Sequence, residues 1–394
     1  MKKSILLLVL MLFSLLGCQQ QTDVPANDVL RYAFETYSRT AKALNPADGL
    51  PRTTDADGHW IVKPARDWTS GFYPGVLWYL FEFSGDPNMK QYAENWTAAV
   101  EGQKDATYGH DVGFQIFCSF GNGYRLTKNE DYKAVILKAA SSLATRFNDN
   151  VGATRSWDWI PDSAPWTFPV IIDNMMNLEL LLWAGAHGGD STWYDMGLSH
   201  AHTAMKNHIR ADNSTFHVVD FNPETGERVR GLTWQGYADS SCWARGQAWG
   251  LYGFTMVYRE TQDTLCLHAV ERLADYYISH LPADYVPYWD FQAPDIPNEP
   301  RDASAAAIAA SGLLELSRHE LQPEKKQRYF QAAENTLKTL CSSKYLTKGK
   351  QNDALLLHCV GHRLAGTEVD VPLIYADYYF VEALVRYRAM KQQQ

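Results

Sequence analysis

Apolar and polar positions along this chain alternate between two kinds of segment. In one kind, apolar residues recur every three or four positions among charged ones, the stripe of an ordinary amphipathic helix; such segments cover roughly 27–44, 88–103, 130–147, 191–210, 262–281 and 323–341. In the other kind Gly, Ala and aromatic residues dominate and charge is scarce, as in a helix buried nearly all round; these begin near Thr69, Asp111, Asp173, Asp239 to Trp243, Asp302 and Asp377. The two kinds follow one another in six pairs with a period of roughly 50–70 residues, and neither partner can bury its apolar face alone. Closing six such hairpins into a ring predicts an all-α fold, an (α/α)6 barrel with the apolar set inside and the amphipathic set outside. Its span is a single domain over 27–390.

The ring has a consequence for chemistry. All inner helices run the same way, so their N-terminal signatures gather at one mouth, where the helix ends favour an anionic ligand. Asp173 sits in the stretch Thr167 to Trp183 as a lone carboxylate between two apolar runs, and Asp111 starts a similar run. An N-cap accounts for an Asp in such a place. It does not account for the Trp, Tyr, His and Arg residues in the same signatures. The long connections near 45–66, 148–170, 211–238, 283–300 and 343–372 precede inner helices and supply pocket walls. Several are aromatic, with Trp157, Trp159 and Trp166 in one and Phe216, Phe221, Trp234 and Tyr237 in another. Aromatic faces beside a few carboxylates suit a sugar.

Composition narrows the field. Aromatics make up 13% of the 394 residues and the net charge is -9, so nucleic acid is not an expected partner. Met1-Lys2-Lys3 followed by the apolar run Ile5 to Leu16 reads as an export signal over 1–17, and Leu15-Leu16-Gly17-Cys18 resembles a bacterial lipobox that would place a lipid on Cys18. Residues 18–26 would then be a tether, the lipid the only link to a membrane, and the location the periplasm or outer membrane of a Gram-negative bacterium. The other five cysteines are odd in number and widely spaced, which suggests neither a disulfide framework nor a zinc site. No cofactor and no metal is expected, because His and carboxylates do not recur at ligand spacing. Oligomeric state is not legible.

His110-Asp111-Val112-Gly113-Phe114, Ile172-Asp173-Asn174-Met175-Met176-Asn177 and Trp243-Ala244-Arg245-Gly246-Gln247-Ala248-Trp249 resemble the signatures of the unsaturated glucuronyl hydrolases, glycoside hydrolase family 88. Asp67 to Gly75, Asp302 to Leu316 and Asp377 to Leu384 continue the likeness over nearly the whole chain after the leader. The resemblance implies an (α/α)6 barrel that releases a 4,5-unsaturated uronic acid from the non-reducing end of lyase-made glycosaminoglycan oligosaccharides. It implies vinyl-ether hydration, in which an acid protonates C4, water adds at C5, and the hemiketal opens to free the rest of the sugar. Asp173 matches the general acid and subsequent base, and Asp111 matches its assistant.

Carried over the same way, Arg245 and Trp249, four apart on one helix face, are to meet the uronate carboxylate and sugar ring; His217 and Gln235 are to surround the uronate, and Trp68 and Trp159 are to stack on sugar. Near-neutral proton donation demands a raised pKa, which burial and a second carboxylate favour and a helix N-terminus opposes. The stretch Gly361 to Val369 lacks the Ser-x-x-Ser-x-Lys pattern associated with sulfate binding in some members, although His362 and Arg363 remain for an anionic group. Three other readings compete: a rhamnogalacturonyl hydrolase on pectin fragments, a glycan-binding lipoprotein without catalysis, and an epimerase using His110 and His217.

Overall fold

A computed structural model describes residues 23–163 and 165–393. Cys18, the leader and the expected tether up to residue 22 lie outside the described residues; where the description begins, Val24 is buried and Asp23 lies 3.0 Å from Lys391. The chain is a ring of helices in two layers. The outer layer consists of α1 (Ala26–Ala43), α3 (Pro87–Ala98), α5 (Glu130–Ala144), α7 (Thr192–His208), α9 (Thr264–His280) and α11 (Pro323–Leu340). The inner layer consists of α2 (Phe72–Ser84), a π-helix Gly113–Gly121 running into α4 (Asn122–Thr127), a 3-10 turn Ile172–Asn177 running into α6 (Leu178–Ala186), α8 (Ala244–Thr261), α10 (Ala303–His319) and α12 (Ile374–Gln392). Each inner member packs on the next, and α12 packs on α2 and α1, which closes the ring.

The inner helices behave as their composition requires. All fifteen residues from Ala303 to Ser317 of α10 are buried, and the small side chains let α8 and α12 approach on either side. Outer helices bury one stripe only, in α1 through Val29, Leu30, Ala33, Tyr37 and Ala41. Two of the inner elements are irregular where an α-helix was expected. The Asp111 and Asp173 signatures open as a π-helix and a 3-10 turn, forms that concentrate at functional sites because they re-aim side chains. Gly113 makes the pair compatible: a Cβ there would meet the Asn177 Cα at 2.6 Å. Asn177 completes the clamp by accepting from the Phe114 amide at 2.8 Å.

Capping differs from expectation. Only Asp302 of the inner Asp residues is a side-chain N-cap, accepting from the Ser304 amide at 3.0 Å. Asp377 lies within the first turn of α12 and reaches outward, accepting from the Tyr37 hydroxyl at 2.8 Å and the Leu355 and Leu356 amides at 2.8 and 3.0 Å. It ties the outer helix α1 and the connection before α12 to the inner ring. Asp377→Ala orphans three buried donors and is expected to destabilise the protein by about 3–5 kcal/mol, read as a lower denaturant midpoint with unchanged slope.

The long connections fold into small antiparallel sheets instead of plain loops. β1 (Leu50–Thr54) pairs with β2 (Trp60–Lys63), β3 (Phe147–Asn148) with β4 (Ala153–Thr154), and β8 (Cys359–His362) with β9 (Thr367–Val371), while β5 (Phe168–Ile171), β6 (Val218–Phe221) and β7 (Arg228–Leu232) form one three-stranded sheet. β5 pairs Ile171 with Val218, and beyond that pair the Ile172 amide donates to the His217 carbonyl at 2.9 Å. This register sets His217 beside Asp173.

Candidate active site

At the mouth where the inner helices begin, a cavity of about 220 Å³ is lined by both sequence-predicted carboxylates and by residues from five connections or helix starts. Asp111, Asp173, Arg245, Gln235 and Trp68 all line it, as the sequence predicts. A larger cavity of about 650 Å³ opens at the other end of the inner helices. There the charges satisfy one another, as in Arg259–Glu315 at 2.7 Å and Arg386–Glu382 at 3.2 Å, so size does not mark the chemistry.

Burial decides the balance that the sequence left open. It pushes the Asp173 carboxyl up to about 7, against the nearby Arg245 cation, a backbone N–H of its own turn and the Trp249 indole N–H, which all favour the anion. Burial likewise pushes Asp111 up to about 8, helped by the charges of Asp173 and Asp67 and opposed by Arg146. Both side chains keep a face to the cavity, with 25% of Asp111 and 14% of Asp173 exposed. Each is therefore a carboxyl that carries its proton near neutral pH and can reach a ligand with it.

His217 faces Asp173 across 3.6 Å from Nε2 to Oδ2. Its Nδ1 accepts the Trp234 and Gln235 amides at 3.2 and 3.1 Å, so the proton resides on Nε2. Burial and the Arg245 charge hold the ring well below its ordinary pKa, hence neutral. At 3.6 Å the Nε2–H and Asp173 Oδ2 do not bond, and each of these two atoms is left without a partner among the described residues. Asn174 Oδ1 and Arg245 Nε are unpaired as well. Asp173 Oδ2 and His217 Nε2, unpaired side by side, are what a polar ligand reaching this carboxyl would satisfy. His110 is also neutral, pushed down to about 3 by burial and Arg146, with Nε2 3.5 Å from Asp111 Oδ1.

Arg245 is more tightly engaged than the sequence suggests. One terminal nitrogen contacts Asp302 Oδ2 at 3.2 Å and the Val360 carbonyl, the other donates to the Gly361 carbonyl at 2.7 Å, and the guanidinium lies 4.5 Å from the Trp243 ring. It serves as a wall cation that still faces the cavity. Trp249 does not line the cavity. It is 1% exposed, wedged between Phe114 and Tyr379 at 5.3 and 5.4 Å, so its face is unavailable to a sugar and only its N–H bears on Asp173. Trp159 stands outside the cavity, 43% exposed, and the wall position belongs to Trp157. Trp68 lines the wall, tilted on Tyr375 at 4.9 Å.

The fold adds residues that no spacing announces. Arg52, from the first hairpin, bonds Asp67 at 2.7 Å and Glu368 at 2.6 Å, joining that hairpin, the start of the first inner helix and the β8–β9 hairpin around the cavity. Arg146 binds Asp158 at 2.9 Å and the carbonyls of Thr107, Arg155 and Ser156, which fixes the connections carrying His110 and Trp157. One group of ligand-type atoms that the sequence did not foresee gathers on the outer ring: His202, Asp263 and Cys266. There Asp263 caps α9 and pairs with His202, while burial and Asp263 push the Cys266 thiol up to about 12. The five cysteines of the described residues are free thiols.

A two-layer helical ring with paired, proton-bearing carboxyls in a sugar-sized mouth is the architecture of a carbohydrate-active enzyme. Residues 50–389 match the family model of Glycosyl Hydrolase Family 88, and the chain belongs to that family. An unsaturated glucuronyl hydrolase of Formosa agariphila is 44% identical over 86% of this chain and 85% of its own length. Among solved structures, an unsaturated glucuronyl hydrolase specific for heparin superposes with a TM-score of 0.89 at 43% identity, covering 93% of this chain and 98% of the other. The unsaturated glucuronyl hydrolase of a Bacillus species, described as responsible for the degradation of glycosaminoglycan, gives a TM-score of 0.85 at 33% identity, covering 91% and 95%.

Proposed function

We propose that this glycosidase removes the 4,5-unsaturated uronic acid from the non-reducing end of lyase-made glycosaminoglycan oligosaccharides by hydrating its double bond. One observation carries the reading: Asp173, protonated near neutral pH, sits in a ligand-facing site beside a neutral His217 whose N–H is unengaged. Asp173 protonates C4, and positive charge develops at C5 and the ring oxygen. The carboxylate left behind is then the base that takes a proton from the water adding at C5, so one residue serves both steps in sequence. Asp111, held neutral, and the His217 Nε2–H supply hydrogen bonds to substrate. The hemiketal opens and the remaining sugar departs. The relatives named for heparin and glycosaminoglycan support this substrate class over pectin fragments or a binding-only role, and neutral, buried His110 and His217 are poor acid–base partners for an epimerase. The lipobox-like stretch ending at Cys18 supports attachment to a membrane by lipid after export.

The test is loss of the double bond's ultraviolet absorbance on disaccharides made by heparin, chondroitin and hyaluronan lyases. Its pH dependence has a definite sign. The acid must be protonated, so kcat/KM falls as pH rises through about 7 to 8, where Asp173 and Asp111 ionise. A profile still flat at pH ~9 would contradict Asp173 as the acid.

A further inference from the structure

The cavity of about 220 Å³ has room for one sugar ring, so every residue of an oligosaccharide beyond the first must lie outside it. Trp157 and His362 are among the rings that line it. From Trp157 the next ring outward is Trp159, stacked at 5.0 Å with an interplanar angle of 29°. From His362 the next is Trp234 at 6.1 Å, and Trp159 and Trp234 meet edge to face at 5.0 Å. The four rings thus form a continuous row of contacts that leaves the cavity lining at Trp157 and returns to it at His362. Trp166, itself 2% exposed, lies 4.8 Å beneath Trp159 and donates its indole N–H to the Trp159 carbonyl at 2.7 Å. A buried tryptophan thus holds an exposed one in place, which a loop with no use for that face does not require. Beside His362, Arg363 is 43% exposed, and its carboxylate neighbour Glu299 is 3.7 Å away, too far for a tight pair.

We propose that Trp159, Trp234 and Arg363 form a further sugar subsite, outside the cavity, for the third residue of the substrate, an inference that rests on the hydrolase reading above. The second residue lies between Trp157 and His362. Uronate and hexosamine alternate in a glycosaminoglycan, so the third residue is again a uronate, with a C–H face for Trp159 and a carboxylate for Arg363. The enzyme then prefers substrates longer than a disaccharide.

The experiment compares kcat/KM for the unsaturated disaccharide and tetrasaccharide released from one polysaccharide. Wild type is expected to favour the tetrasaccharide by about tenfold through KM, the size of one aromatic contact with a charge-assisted hydrogen bond. Trp159→Ala should bring the tetrasaccharide to the disaccharide's level while the disaccharide changes less than about twofold. Arg363→Gln, on the exposed hairpin turn where folding is not at stake, should remove part of the preference and the salt dependence of the tetrasaccharide's KM. Equal kcat/KM for the two substrates in wild type, or equal losses on both in Trp159→Ala, overturns the subsite. If wild type consumed neither, the hydrolase reading would fall with it, whereas failure of the subsite alone leaves the disaccharide consumed.

Discussion

Asp173→Asn is expected to lower kcat by about a thousandfold or more while KM stays within a few-fold of wild type, the signature of losing a group needed only in the transition state. The asymmetry follows from the site's electrostatics. Burial keeps the Asp173 carboxyl neutral up to about pH 7, so asparagine, equally neutral and of the same shape, presents bound substrate with nearly the same surroundings. It has no proton to give to C4 and no carboxylate to receive one from water, so both steps are lost together. Turnover is read by double-bond absorbance and binding by quenching of tryptophan fluorescence, since Trp157 and Trp68 line the cavity. A kcat within tenfold of wild type would remove Asp173 from the mechanism.

The second large effect concerns Arg245. Arg245→Met leaves Asp302, which has no exposed surface, as an unpaired buried carboxylate, and strips donors from the Val360 and Gly361 carbonyls. Breaking a buried pair from one side costs about 3–5 kcal/mol, visible as a lower denaturant midpoint. Pairing it with Asp302→Leu should recover much of that stability, because the uncompensated charge goes too. Arg245 is also the strongest influence holding the Asp173 carboxyl down, so its removal moves the alkaline limb of the activity profile to higher pH. A limb that did not move would mean that the cation serves the wall alone.

The architecture was legible because it rests on periodicity. Inner helices had to be small and apolar to touch both neighbours, outer ones had to carry a stripe, and all six pairs appear within a few residues of where the pattern puts them. The cavity's lining was legible where a signature at an inner helix start reaches it: Asp111, Asp173 and Arg245. It was not legible where a side chain's role depends on which way it turns. Trp249 shares a helix face with Arg245, yet Phe114 and Tyr379 close over it. Trp157 and Trp159, two apart in an irregular stretch, divide into wall and rim through tilted and edge-to-face contacts with Trp166 and His217, which no spacing encodes. Arg52 and Glu368 are 316 residues apart and meet only because the ring closes. The small sheets escaped for a related reason: strands of two to five residues carry too little alternation to stand out from a loop.

The most direct test of hydration at Asp173 is to let the enzyme consume a lyase-made unsaturated disaccharide in heavy water while NMR follows C4 and ultraviolet absorbance follows the double bond. The account predicts one deuterium delivered to C4, release of the remaining sugar in step with loss of the double bond, and neither event in Asp173→Asn. Release of that sugar with the double bond intact, or deuterium still entering C4 at the wild-type rate in Asp173→Asn, would contradict it.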